Sequence, residues 1–91
     1  VEIEFDPVKS DRNATERGLP FTAALEFDWQ TAEVGPSEKH GEERRIAVGY
    51  LHDRIHVLIY MKRGPALRIV SLRKANEREV RKYEEARSLL D

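Results

Sequence analysis

The sequence predicts an α+β domain: a small antiparallel β-sheet with two N-terminal helices and one C-terminal helix. Three observations carry this. Helix start and stop signals bracket residues 6–18 and open again at Pro20. Between residues 46 and 72 the apolar pattern shortens to a period of two. The last segment opens on a capping-box pair and continues as an apolar stripe. The chain has 91 residues, against about 100–200 for a typical domain, so residues 1–91 read as one domain.

Residues 2–5 alternate polar and apolar, as a short strand does. Asp6-Pro7 then supplies an N-cap and a first-turn proline, and Gly18 a left-handed stop. Between them only Val8 and Ala14 are apolar, which predicts a helix lying on the surface. A second helix is expected from Pro20, with Phe21, Ala24 and Leu25 on one face and Phe27 and Trp29 extending its apolar content. Residues 31–43 read as a thin strand, a turn at Gly35-Pro36-Ser37, and a loop too charged to bury, the segment expected to move most. Ile46, Val48 and Tyr50 begin the meander. His52-Asp53-Arg54 is a hairpin-sized connection. Residues 55–61 are apolar at nearly every position, as in a central strand covered on both faces. Lys62-Arg63-Gly64-Pro65 is a second turn and residues 66–72 a third strand. Asn76 and Glu79 form the capping box of the final helix, whose stripe is Val80, Tyr83, Ala86 and Leu90.

The chain has no cysteine, which excludes disulfides, zinc–thiolate sites and a cysteine nucleophile. His40, His52 and His56 lack tight ligand spacing with carboxylates, so neither a metal nor another cofactor is expected. The apolar runs are a few residues long, far from the ~20 of a membrane helix, and the first residues do not read as a signal peptide. A cytoplasmic protein with no membrane partner is the expectation. The net charge of −1 argues against a nucleic-acid binder. It conceals a split, however. Residues 1–43 hold four basic and eleven acidic side chains, a net of −7; residues 44–91 hold twelve and six, a net of +6.

The basic half concentrates arginines at strand ends: Arg63, Arg68 and Arg73, with Lys74 beside the last. Regular alternation would put Arg68 with Val70 and Leu72, and Arg73 with Leu67, Ile69 and Ser71. One arginine then shares an apolar face on either choice of core, unless the strand twists or ends, or the sheet has a functional, concave polar face. Solvated strand ends, or pairs with the acidic half, are the plainer reading. A guanidinium cluster for phosphate is the functional one, since arginine binds phosphate bidentately and stays charged. Tyr50, Tyr60 and Tyr83 suit packing, or the stacking of single-stranded RNA bases.

In order and spacing the chain resembles the BrnT family, the ribonuclease toxins of type II toxin–antitoxin pairs. The resemblance rests on three blocks: Phe5-Asp6-Pro7, Lys9, Asn13, Gly18, Phe21, Ala24 and Phe27-Asp28; Gly41-Glu42-Glu43-Arg44 with Ile46-Ala47-Val48-Gly49; and Tyr60, Arg63, Arg68-Ile69-Val70-Ser71, Arg73-Lys74-Ala75, Glu79 and Tyr83. It implies a RelE-like fold and metal-independent cleavage of RNA that arrests translation. It implies a BrnA-like antitoxin partner, with DNA contacted only through that antitoxin. Carried over by position, Arg63, Arg68 and Arg73 would contact the phosphate and transition state, with Arg44, Lys74, Tyr60 and Tyr83 as substrate contacts or supports. The family commonly reads Lys-His-Gly at the end of the first helix; this chain reads Glu16-Arg17-Gly18. An arginine in that place could keep a phosphate contact, but it could not serve as a base near neutrality. Glu16, a histidine or Tyr60 is left as the base. The rival reading is a catalytically impaired module that binds RNA or an acidic protein.

Overall fold

A computed structural model describes residues 1–37 and 43–90. The elements are β1 (Glu2–Glu4), α1 (Pro7–Arg17), two 3-10 segments (Phe21–Glu26 and Trp29–Thr31), β2 (Glu33–Pro36), β3 (Arg44–Leu51), β4 (Arg54–Arg63), β5 (Ala66–Lys74) and α2 (Glu77–Ser88). The five strands form one sheet in the order β1-β5-β4-β3-β2.

The class is α+β, with two corrections. The sheet is mixed, because β1 joins β5 in parallel, Ile3 opposite Leu67. The remaining pairs are antiparallel. The expected second N-terminal helix is a 3-10 turn followed by another. Its buried residues, Phe21, Ala24 and Phe27, recur every three residues, which is the eclipsed period of a 3-10 turn. Leu25, which an α-helix would have buried beside them, is 58% exposed.

Local signals set the α-helices. The Asp6 carboxylate accepts from the Val8 amide, and Gly18 closes α1 with a φ of 69°. Asn76 and Glu79 form the expected reciprocal box at the start of α2. Contrary to the surface reading of α1, it buries a polar face, Ser10 and Asn13. The Ser10 hydroxyl accepts from the Phe21 amide. Asn13 donates through Nδ2 to the carbonyls of Leu19 and Leu72. The stripe on α2 ends sooner than expected, since Leu90 lies beyond the helix and is 69% exposed.

Each sheet face has its own core. Ala47, Leu51, Leu58, Tyr60, Ile69 and Leu72 face the 3-10 segments and pack with Phe21, Ala24 and Phe27. Ile55, Val57, Ile59 and Ala75 face α2 and pack with Tyr83. This two-sided cover explains why residues 55–60 are buried without a break. Gly49 admits the 3-10 segment closely: a β-carbon there would stand 3.0 Å from Ala32 Cα and 3.1 Å from Phe27 Cζ. The expected turn at Gly35-Pro36 is instead strand, paired with Ile46 and Arg45. Proline is tolerated there because β2 is an edge strand. The hairpin turn is His52-Asp53, with Arg54 already in β4. The expected charged loop lies, apart from Glu43, outside the described residues.

Candidate functional site

The arginines are arranged by one irregularity in β5. Ile59 and Tyr60, consecutive on β4, face Ser71 and Ile69, so Val70 is an extra residue in a β-bulge. The bulge changes the phase of the strand. Leu67, Ile69 and Leu72 all reach one core, although strict alternation would split them. Arg68 and Arg73 therefore fall together on the other face, opposite Met61 and Val57. Strand register adds Arg63, paired with Ala66, and Arg44, paired with Met61. Four arginines thus share the face on which α2 lies.

They do not form one group. Arg44, Met61 and Arg68 make a cross-strand row, and Arg63 is diagonal to both arginines. Diagonal neighbours are about 7–8 Å apart, and next-nearest strands roughly 10 Å. Flexible arginine forks at those distances can converge on one phosphate. None of the three residues of the row belongs to the apolar cluster that packs with Tyr83 of α2. Arg63 is exposed, and Arg44 and Arg68 are half-buried. Arg68 Nη1 lies 3.4 Å from Glu4 Oε1 on the neighbouring strand.

Arg73 stands five residues along β5, about 16 Å from Arg68 at strand rise. Its fork donates to both carboxylate oxygens of Glu79 at 2.7 and 2.8 Å. The same carboxylate accepts the Asn76 amide. Arg73 therefore clamps the start of α2 to the end of β5. The bond with Glu79 raises the guanidinium above its ordinary pKa and outweighs the cost of burial.

The other expected site residues are dispersed. Tyr60 is buried on the opposite face, its ring 5.2 Å from that of Trp29 in an edge contact. Tyr83 is buried under α2 and donates to the Thr31 carbonyl. Lys74 pairs with His56 on the face away from α2. Burial lowers the pKa of His56, despite its ring Nδ1 bonding the Arg54 carbonyl, and Arg54, Lys74 and His52 lower it further. Glu16 and Arg17 border a shallow groove of about 190 Å³ between α1 and Val70-Ser71, together with Lys9 and Arg12. Arg17 Nη1 donates to Asn13 Oδ1 at 3.0 Å and to the Leu72 carbonyl at 3.4 Å. The groove thus lies on β5 within three residues of Arg68. The sequence singled out Arg63, Arg68 and Arg44, which the sheet places on one face, and did not single out Glu4, Lys9 or Arg12, which lie beside that face or the groove. The alternation of residues 2–5 placed Glu4 opposite Ile3 without saying which strand it would join.

Guanidinium groups gathered on one face of a small α+β sheet have the chemistry to bind phosphate. The family model for the ribonuclease toxin BrnT of type II toxin–antitoxin systems matches residues 5–79. The chain belongs to that family of ribonuclease toxins, and its membership implies an antitoxin partner. No curated protein and no solved structure matches the chain. No helix among the described residues is long and apolar enough to cross a membrane.

Proposed function

We propose that the chain is a metal-independent endoribonuclease of the cytoplasm that arrests translation, on a scaffold like that of RelE. A BrnA-like antitoxin neutralises it and makes the only contact with DNA. The observation that carries this is the Arg44–Met61–Arg68 row with Arg63 diagonal to it. In metal-free cleavage the ribose 2′-hydroxyl attacks its own phosphate, and the protein must stabilise the added negative charge. Arginine forks do this without titrating. One well-placed donor contributes on the order of 3–4 kcal/mol to the transition state. Arg73 supports the site from a distance by holding α2, and Lys9, Arg12 and Arg17 extend the positive surface along α1.

The test is induction in cells, and RNA cleavage in EDTA, for the parent and for Arg44→Ala, Arg63→Ala, Arg68→Ala and Arg73→Ala. The first three lose cleavage and keep their melting temperature. Each also makes RNA binding less sensitive to salt, by about 0.7 in log–log slope for every phosphate that an arginine no longer neutralises. Arg73→Ala lowers the melting temperature. If instead it abolishes cleavage with stability unchanged, Arg73 touches RNA and the three-arginine site is wrong. Binding without cleavage in the parent would favour the impaired module, a reading supported by Glu16-Arg17 standing where the family commonly has lysine and histidine.

A further inference from the structure

The three arginines can bind and polarise a phosphate, but arginine does not remove a proton at working pH. Cleavage through the 2′-hydroxyl needs a base within hydrogen-bond reach of the ribose. Of the bases the sequence offers, Tyr60 and His56 lie on the other face of the sheet. His52 occupies the hairpin at the far end of β3 and β4 and meets Glu26 at 3.0 Å. Glu79 holds both the Arg73 fork and the Asn76 amide. Glu16 stands on α1 beside Val70 and Ser71, off the arginine row.

Another carboxylate does join that row. Glu4 pairs with Arg68 across the parallel β1–β5 ladder and so projects on the same face as Arg68, Met61 and Arg44. Its Oε1 stands 3.4 Å from Arg68 Nη1. That is longer than the 2.7–2.9 Å of a tight charged hydrogen bond, and the two side chains are 42% and 35% exposed. The pair is open to an incoming group. Neighbouring strands lie about 4.8 Å apart. A base must come within about 2.6–3.2 Å of the hydroxyl, and the hydroxyl within about 3–3.5 Å of phosphorus. A phosphate held over Arg68 therefore brings its ribose within reach of a carboxylate one strand away.

We infer that Glu4 is the general base of RNA cleavage. Resting on the ribonuclease reading above, this assigns its proton-transfer step. The Glu4 carboxylate takes the 2′-hydroxyl proton while that oxygen forms a bond to phosphorus. The bond from phosphorus to the 5′-oxygen breaks with its electron pair, and that oxygen takes a proton from solvent water. Glu4 gives its proton back to the hydroxide left in solvent. The products are a 2′,3′-cyclic phosphate end and a 5′-hydroxyl end. Arg68, one strand over, holds the phosphate and takes up the developing charge.

The experiment compares the parent, Glu4→Gln, Glu4→Ala, Arg68→Ala and a charge-matched control on the exposed side of α2, Glu84→Gln. Each is assayed on cellular RNA with and without ribosomes, across pH. Glu4→Gln is expected to bind RNA like the parent but to cut it about 10²–10⁴-fold more slowly. It also loses the acidic limb of the pH–rate profile, which Arg68→Ala keeps in a slower reaction. Formate added to Glu4→Ala restores part of the rate. Glu84→Gln behaves as the parent does. If Glu4→Gln cuts at the parental rate, Glu4 only tethers β1 and the inference fails. If it cuts faster and binds RNA more tightly, Glu4 is a competing anion, and the inference fails as well. A parent that cuts no RNA overturns the ribonuclease reading itself, and with it the role of Glu4.

Discussion

Replacing Asn13 by alanine tests whether polar bonds, rather than apolar contacts, attach α1 to the sheet. Strand β1 pairs with residues 66–68 of β5. Farther along β5, the Leu72 carbonyl accepts Asn13 Nδ2 at 2.8 Å. The same Nδ2 meets the Leu19 carbonyl at 2.6 Å, and Asn13 Oδ1 accepts from Arg17 at 3.0 Å. Asn13 is buried, so truncation leaves these groups short of a partner and out of ready reach of water. At about 1 kcal/mol net for each of three bonds, the loss is roughly 3 kcal/mol. For a domain of this size that lowers the melting temperature by roughly 12–24 °C. Thermal and urea unfolding of Asn13→Ala and Asn13→Asp would measure it. Asn13→Asp should lose a comparable amount, because its carboxylate presents no donor to the two carbonyls. A loss below about 1 kcal/mol in both variants would refute the account and leave apolar packing to hold α1.

Two further outcomes follow from single contacts. Gly49→Ala should cost about 1–3 kcal/mol in urea unfolding, because its methyl would stand 3.0 Å from the Ala32 backbone and 3.1 Å from Phe27; a neutral result would mean that the 3-10 segment shifts freely. His56 has its folded pKa lowered from 6.5, chiefly by burial. The unfolded chain then binds more protons in that window, so the contribution of His56 is complete above pH 6.5 and is lost as pH falls below it. Melting curves between about pH 7.5 and about pH 5.5 should drop more steeply for the parent than for His56→Gln; parallel curves would show that His56 does not titrate differently on folding.

Much of the architecture is written locally. Asp6-Pro7, Gly18 and the Asn76–Glu79 box set the α-helix ends because capping needs only neighbouring residues. The nearly unbroken apolar run of β4 announced a central strand. The period of three at Phe21, Ala24 and Phe27 was also present in the letters, but with Leu25 beside it the segment read equally well as an α-helix. The burial of Asn13 was hidden, since its value lies in a carbonyl 59 residues away.

The candidate site divides along the same line. The sequence by itself determined that the cations belong to the second half of the chain, that three arginines flank strand ends, and that their order matches a family of ribonuclease toxins. These follow from residue identity and spacing. Only the tertiary structure decided which arginines lie together. A bulge at Val70 depends on pairing with β4, and it turns Arg68 and Arg73 to one face. The clamp on Glu79 depends on where α2 begins, and it removes Arg73 from the group. The parallel pairing of β1 puts Glu4 beside Arg68, across 64 residues of sequence. Register and pairing are long-range choices made by the whole core, and no local pattern encodes them.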